Sequence, residues 1–197
     1  MCGIVGYIGN KDAVPILLKG LQRLEYRGYD SAGISVMGTG GIQIVKQAGK
    51  VSELSKAVDD SPISGTIGIA HTRWATHGEP NNINAHPHTD ASETFSLVHN
   101  GIIENHTSLR TYLHEKGVSF KTETDTEVLV QLIGYLYQKE EISFEQAVRS
   151  ALHEVVGAYG IAVTCKDEQE TIIVARLGSP LVLGVGDDEY FVASDAS

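Results

Sequence analysis

The chain has 197 residues, 42% of them hydrophobic and 20% charged, with a formal net charge of -10 at pH 7. This length suits one domain that buries roughly 70% of its unfolded surface, and the acidic balance argues against a nucleic-acid partner. Because no apolar run approaches the roughly 18 residues of a membrane span and no secretion signal is recognisable, we expect a cytoplasmic protein without a membrane partner.

The first predicted element is a buried strand over residues 4–8, which would hold the start of the chain inside the fold. Cys2 comes just before it. Removal of Met1 would leave Cys2 with a thiol and a free α-amine, whose pKa of roughly 7.7–8.0 lets it accept the thiol proton near neutral pH. A cysteine next to a start codon can also be accidental. The second cysteine, Cys165, lies in an apolar run and is expected to be an inert core thiol.

Helical and strand patterns alternate through the first 74 residues. Asp12 and Pro15 favour a capped helix over residues 12–26. The later elements predicted here are a hairpin of strands 34–37 and 42–45, a short helix over 51–59 capped by Ser52, and a strand from 66–71 that runs into residues 72–74.

A long polar loop is predicted over residues 75–94, and loops of this length are often lids or binding loops. After it we expect a strand at 95–99, helices at 107–115, 126–138 and 144–155, and antiparallel strands at 161–164, 171–175, 181–185 and 190–193. Strands, then helices, then strands again indicate an α+β fold of layered sheets flanked by helices, not a parallel βαβ series.

Three segments of the sequence have both a structural and a chemical interpretation. Asn100 and Gly101 form a strong hairpin signal, but an asparagine amide and a glycine N–H are also two donors suited to an oxyanion. Arg73 could bind the carboxylate of a substrate through two hydrogen bonds, or it could form a surface ion pair. Thr124 and Glu127 predict a capping box, which would place Asp125 in the first helical turn, where it could receive an ammonium group.

The histidines His71, His77, His86 and His88 raise the possibility of a metal site. Their spacing matches no established zinc pattern, and no cysteine pair supports them. We therefore expect neither a metal nor another cofactor.

Five motifs, in order, resemble the glutaminase domain of the glutamine-fructose-6-phosphate aminotransferases, which are class II glutamine amidotransferases with an N-terminal cysteine nucleophile. They are CGIVG at 2–6, LEYRGYDSAG at 24–33, HTRWATHG at 71–78, HNG at 99–101 and TDTE at 124–127. Amidophosphoribosyltransferases and asparagine synthetases share the cysteine and the Asn-Gly pair but differ at 24–33 and 71–78.

The resemblance implies an N-terminal-nucleophile hydrolase fold, a four-layer αββα sandwich with two antiparallel sheets between helical layers. It further implies that Cys2 attacks the side-chain amide of L-glutamine and that Asn100 and Gly101 line the oxyanion hole. The substrate-binding residues it implies are Arg73, Trp74, Thr76, His77, Asp125 and Arg27, with Arg73, Thr76 and His77 at the α-carboxylate, Asp125 at the α-ammonium, Trp74 at an ammonia gate and Arg27 near the nucleophile.

Residues 1–197 are interpreted as the glutaminase domain alone, without the C-terminal sugar isomerase region that binds fructose 6-phosphate in such enzymes. The full-length enzyme is expected to be a homo-oligomer. Two other interpretations stay open, a glutaminase that serves a different acceptor and a regulatory module that binds glutamine without turnover.

Overall fold

A computed structural model describes residues 2–74 and 79–196 of the chain. Its strands are β1 (Gly3–Ile8), β2 (Ser31–Gly38), β3 (Gly41–Ala48), β4 (Ile67–Arg73), β5 (His88–Thr89), β6 (Phe95–Ile103), β7 (Gly157–Cys165), β8 (Glu168–Leu177), β9 (Val182–Val185) and β10 (Tyr190–Ala193). Its helices are α1 (Ala13–Leu24), α2 (Val51–Asp60), α3 (His106–Glu115), α4 (Asp125–Glu140) and α5 (Phe144–His153).

The strands form two antiparallel sheets. The first has the order β3-β2-β4-β1-β10-β9, so that β1 is hydrogen-bonded to β4 on one side and to β10 on the other. The second has the order β5-β6-β7-β8. The four strands predicted near the end of the chain are confirmed as antiparallel, but β7 and β8 belong to one sheet whereas β9 and β10 belong to the other.

Three apolar clusters define the layers. One joins α1 and α2 to the outer face of the first sheet, and another joins α4 and α5 to the outer face of the second sheet. The third lies between the two sheets and centres on Ile4, Ile69, Val98 and Ala162. The αββα sandwich is therefore confirmed. Within residues 2–74 and 79–196, no helix is both long and apolar enough to cross a membrane.

The prediction of a hairpin at Asn100-Gly101 is wrong. Both residues lie inside β6, which pairs with β7 in unbroken register from Phe95 opposite Cys165 to Ile103 opposite Gly157. An Asn-Gly pair forms a tight turn only when the two flanking runs pair with each other, and here both runs pair with the same neighbouring strand.

Two cap predictions also need correction. The N-cap of α2 is Lys50, not Ser52, and the Val51 N–H is satisfied by the Glu25 side chain at 2.7 Å. At α4 the Thr124 hydroxyl accepts from the Glu127 N–H as predicted. The reciprocal half of that capping box is missing, because the Glu127 carboxylate accepts from the N–H groups of the preceding loop instead.

Candidate active site

The main candidate site is a cavity of about 320 Å³ where β4, β6 and the start of α4 meet the beginning of the chain. Its lining includes seven of the nine predicted site residues, namely Cys2, Arg27, Arg73, Trp74, Asn100, Gly101 and Asp125. The other two, Thr76 and His77, lie outside the described residues. The structure therefore brings together residues that are up to 123 positions apart in the sequence, from Cys2 to Asp125.

The Cys2 thiol lies against the backbone at the end of β4. The Trp74 N–H donates to Sγ at 3.1 Å, and the thiol donates to the Trp74 carbonyl oxygen at 3.6 Å. Burial raises the pKa of Cys2, and the hydrogen bond from Trp74 opposes that rise. A thiol with a raised pKa stays protonated at neutral pH, so its use as a nucleophile requires a nearby base.

Asn100 lies beside this thiol because Asn100 Nδ2 donates to the carbonyl oxygen of Cys2 at 3.0 Å. Its neighbour Gly101 has a φ of 131°, far from the value of a regular strand. The carbonyl of Asn100 accepts from the Ser179 hydroxyl at 3.2 Å. Since the C=O and N–H of a trans peptide point in opposite directions, this bond also fixes the direction of the Gly101 N–H.

Two buried side chains of opposite charge line the same cavity. Arg73 is 4% exposed and Asp125 is 5% exposed. Asp125 is the first residue of α4, where its Oδ2 accepts from the Ile103 N–H at 2.9 Å. A buried cation and a buried carboxylate on the walls of one cavity suit a small ligand that carries both a carboxylate and an ammonium group.

A family model described as a glutamine amidotransferase domain matches residues 71–197, which is more than half of the chain. The chain belongs to this family.

The glutamine amidotransferase domain has close relatives among curated proteins. It is 58% identical over 198 residues to glutamine-fructose-6-phosphate aminotransferase (isomerizing) of Bacteroides thetaiotaomicron. It is 50% identical over 195 residues to the protein of the same name from Clostridium perfringens. These alignments cover 100% and 99% of the domain but 32% of each relative, so the chain spans about a third of their length.

Solved structures give the same fold. Glutamine phosphoribosylpyrophosphate amidotransferase from B. subtilis, complexed with ADP and GMP, matches with a TM-score of 0.84 and 30% identity over 98% of this chain and 42% of its own. A glutamine aminotransferase class-II domain protein from Silicibacter pomeroyi matches with a TM-score of 0.66 and 15% identity, over 98% of this chain and 88% of its own. The second likeness concerns the fold alone.

Arg27 of the amidotransferase domain lies at the edge of the cavity and is 8% exposed. Its Nη1 donates to Asp195 Oδ2 at 2.8 Å and to the Ser194 carbonyl at 3.2 Å. Ser194 in turn exchanges two hydrogen bonds with the backbone of Ile4. The segment after β10 therefore supports both Arg27 and the strand that follows the nucleophile.

Trp74 lies at the mouth of the cavity, with its side chain 48% exposed. Its ring packs edge-to-face against Tyr29 at 5.6 Å between centroids. The Trp74 ring is therefore accessible to solvent at the wall of the cavity.

Four polar residues of the amidotransferase domain site have no role in the sequence prediction. His99, Thr126 and Ser179 line the cavity, and His71 contacts Asn100 from outside the lining. His99 Nδ1 lies 3.0 Å from the Thr126 hydroxyl and 4.0 Å from Asp125 Oδ2. His71 and His99 each precede a predicted site residue by one or two positions, which is a signal too common to assign a role.

Three histidine rings form a buried cluster, and one of them, His86, lines the cavity. His71 stacks on His86 at 4.2 Å, and His86 meets His88 edge-on at 4.8 Å. Burial lowers the pKa of His71 to about 3 and lowers the pKa values of His86 and His88 well below their ordinary value. All three are therefore neutral at pH 7. Among the described residues, no group of three metal-ligating side chains is arranged to hold a metal ion.

Proposed function

We propose that this domain hydrolyses L-glutamine to glutamate and ammonia through a thioester on Cys2. The observation that carries the proposal is that the Cys2 thiol, the Asn100 amide and the buried Arg73 and Asp125 side chains line one cavity. A thiol beside two potential oxyanion donors is suited to acyl transfer. The opposite charges of Arg73 and Asp125 select an amino acid as the acyl donor.

The first half-reaction forms the thioester. The α-amine of Cys2, free once Met1 is removed, takes the thiol proton while Sγ bonds to the amide carbon of glutamine. The amide oxygen becomes an oxyanion, for which Asn100 Nδ2 and the Gly101 N–H are the donors. The C–N bond then breaks, the proton passes from the α-amine to the leaving nitrogen, and ammonia departs.

The second half-reaction releases glutamate. Water attacks the thioester carbon and gives a proton to the α-amine, the same donors stabilise the second oxyanion, and the C–S bond breaks with return of the proton to sulfur. Throughout, Arg73 holds the substrate α-carboxylate and Asp125 holds its α-ammonium. In this proposal Thr76 and His77 also bind the α-carboxylate. Trp74 controls the passage of ammonia, and Arg27 lies near Cys2.

The acceptor of the ammonia is proposed from the relatives. Proteins named glutamine-fructose-6-phosphate aminotransferase (isomerizing) are 58% and 50% identical to this chain, whereas the phosphoribosylpyrophosphate amidotransferase is 30% identical. We therefore propose that residues 1–197 are the ammonia-supplying domain of such an aminotransferase, with a C-terminal sugar isomerase domain and fructose 6-phosphate as partners. The full-length enzyme is proposed to be a cytoplasmic homo-oligomer.

The proposed function is tested by measuring glutamate and ammonia released from glutamine by protein that lacks Met1. We expect equimolar products. Analogues of glutamine without the α-amine or without the α-carboxylate should lose roughly 10²–10⁴-fold in kcat/KM, since leaving one buried charge unpaired costs about 3–5 kcal/mol. Binding of glutamine without turnover would favour the regulatory module. Hydrolysis of both analogues as fast as glutamine itself would exclude the assigned roles of Arg73 and Asp125.

Replacement of Gly101 by alanine should damage the oxyanion site directly. A Cβ atom at this φ of 131° would overlap the Ala158 carbonyl oxygen, so the strand must move and the Gly101 N–H must move with it. We expect kcat for glutamine to fall by roughly 10²–10³-fold, the usual cost of losing one oxyanion donor. Steady-state kinetics with glutamine measure this loss.

Gly117→Ala is the matched control for this glycine. Gly117 also has a positive φ, of 87°, but a Cβ there would meet nothing within 4 Å. Because alanine is strained at a positive φ, this variant should unfold at a lower temperature than the wild type. Its kcat should stay within about twofold of the wild type. Equal kinetics for both glycine variants would contradict the oxyanion role of Gly101.

A further inference from the structure

His71 makes a buried hydrogen bond to the side chain that is proposed to stabilise the oxyanion. His71 lies on β4 and is 0% exposed. Its Nε2 is 2.9 Å from Asn100 Oδ1. No step of the proposed reaction uses His71 itself.

The two ends of the Asn100 amide can be told apart from their partners. One end lies 3.0 Å from the carbonyl oxygen of Cys2, which can only accept a hydrogen bond, so that end must be the NH₂ group. The other end is then the oxygen, which requires a donor. His71 Nε2 is 2.9 Å from it and must therefore carry the proton.

The His71 ring is held in place by its surroundings. It stacks on His86 with an angle of 21° between the ring planes. Burial keeps its pKa at about 3, so at neutral pH the ring is uncharged and has one N–H to donate. The tautomer with the proton on Nε2 is the one that satisfies Asn100.

We propose that His71 is a positioning residue that holds the Asn100 amide with its NH₂ group toward the nucleophile. This inference rests on the proposed function, because it assigns Asn100 to the oxyanion. The amide oxygen and NH₂ group of asparagine are nearly the same size, so sterics alone do not prevent a flip. A flipped Asn100 would present an oxygen to the oxyanion, which removes a donor and adds a repulsion.

The kinetic test compares His71→Leu with His71→Gln. Leucine fills space without a donor, and we expect kcat for glutamine to fall about 10²-fold while KM changes less than threefold, because Arg73 and Asp125 still bind the substrate. The side chain introduced in His71→Gln keeps an NH₂ donor. This variant should therefore have a kcat at least about tenfold higher than that of His71→Leu. A rise in KM at unchanged kcat, or no recovery in His71→Gln, would overturn the proposal.

A double-variant cycle separates positioning from general damage to the core. If His71 acts through Asn100, then adding His71→Leu to Asn100→Ala should lower kcat by less than threefold further. A further loss of about 10²-fold would show that His71 acts independently of Asn100 and would overturn the proposal.

A measurement on the unmodified protein completes the test and does not depend on folding of the variants. Long-range ¹H–¹⁵N NMR of the histidine rings should show His71 neutral and protonated on Nε2 at pH 7. Protonation on Nδ1 would overturn the proposal. If glutamine is not hydrolysed at all, the proposed function fails, whereas the spectrum still reports whether His71 orients Asn100.

Discussion

Replacing Cys2 by alanine is expected to lower the rate of glutamine hydrolysis by on the order of 10⁵–10⁶-fold, to the background level, because no other group in the cavity can form the thioester. Cys165, the other cysteine, is free and fully buried in the core of the second sheet. The loss is measured as glutamate released per mole of protein. Isothermal titration with glutamine should still detect binding to Cys2→Ala, since Arg73 and Asp125 are unchanged.

Cys165→Ala is the matched control for the loss of a thiol. It should reduce the free energy of unfolding by about 1 kcal/mol through a small cavity and leave kcat within about twofold of the wild type. Residual turnover in Cys2→Ala above one-hundredth of the wild-type rate would show that the nucleophile lies elsewhere.

Mild acid is expected to destabilise the fold strongly through the cluster of His71, His86 and His88. Their pKa values in the folded state lie far below 6.5, at about 3 for His71, so the unfolded chain binds protons that the folded chain does not. The contribution of the neutral rings to the free energy of unfolding is therefore present above about pH 6.5, the ordinary histidine pKa. It is lost progressively as the pH falls below that value. From pH 6.5 to pH 5 the His71 ring alone should cost about 1.7 kcal/mol. His86 and His88 should add to this loss in the same direction.

Urea unfolding followed by circular dichroism at several pH values measures this loss. The neighbouring Arg73 and Lys46 cations also disfavour protonation of the rings, so they act in the same direction as burial. His88→Gln removes one of the three rings and should make the free energy of unfolding fall less steeply with decreasing pH than in the wild type. An unfolding free energy that stays constant between pH 6.5 and pH 5 would contradict the assignment of neutral rings.

The order and type of the main elements could be predicted because their apolar periodicity agrees with the faces that they bury. The predicted helix over residues 12–26 appears as α1 with Asp12 at its cap, and the apolar run at 4–8 appears as β1. Predictions of caps and turns from neighbouring residues were wrong where a residue distant in the sequence makes the contact instead. Glu25 caps α2 from another part of the chain, and β7 keeps Asn100 and Gly101 extended within a strand.

The predicted site residues share one cavity, except for the two that lie outside the described residues. The contacts that orient them could not be predicted, because they join residues that are 29 and 79 positions apart in the sequence. His71 on β4 reaches Asn100 on β6, and Ser179, which follows β8, reaches the Asn100 carbonyl. A single sequence contains no local pattern that specifies such a pairing.

The position of β4 between β1 and β2 limits how its length can change. Side chains alternate along a strand, so Ile69, His71 and Arg73 share the face toward the second sheet while Ala70 faces α1 and α2. Losing or gaining one residue within β4 would exchange the two faces, placing the guanidinium and the imidazole among the apolar side chains under the helices. Changes in chain length can therefore be accommodated in the connecting loops but not between residues 67 and 73.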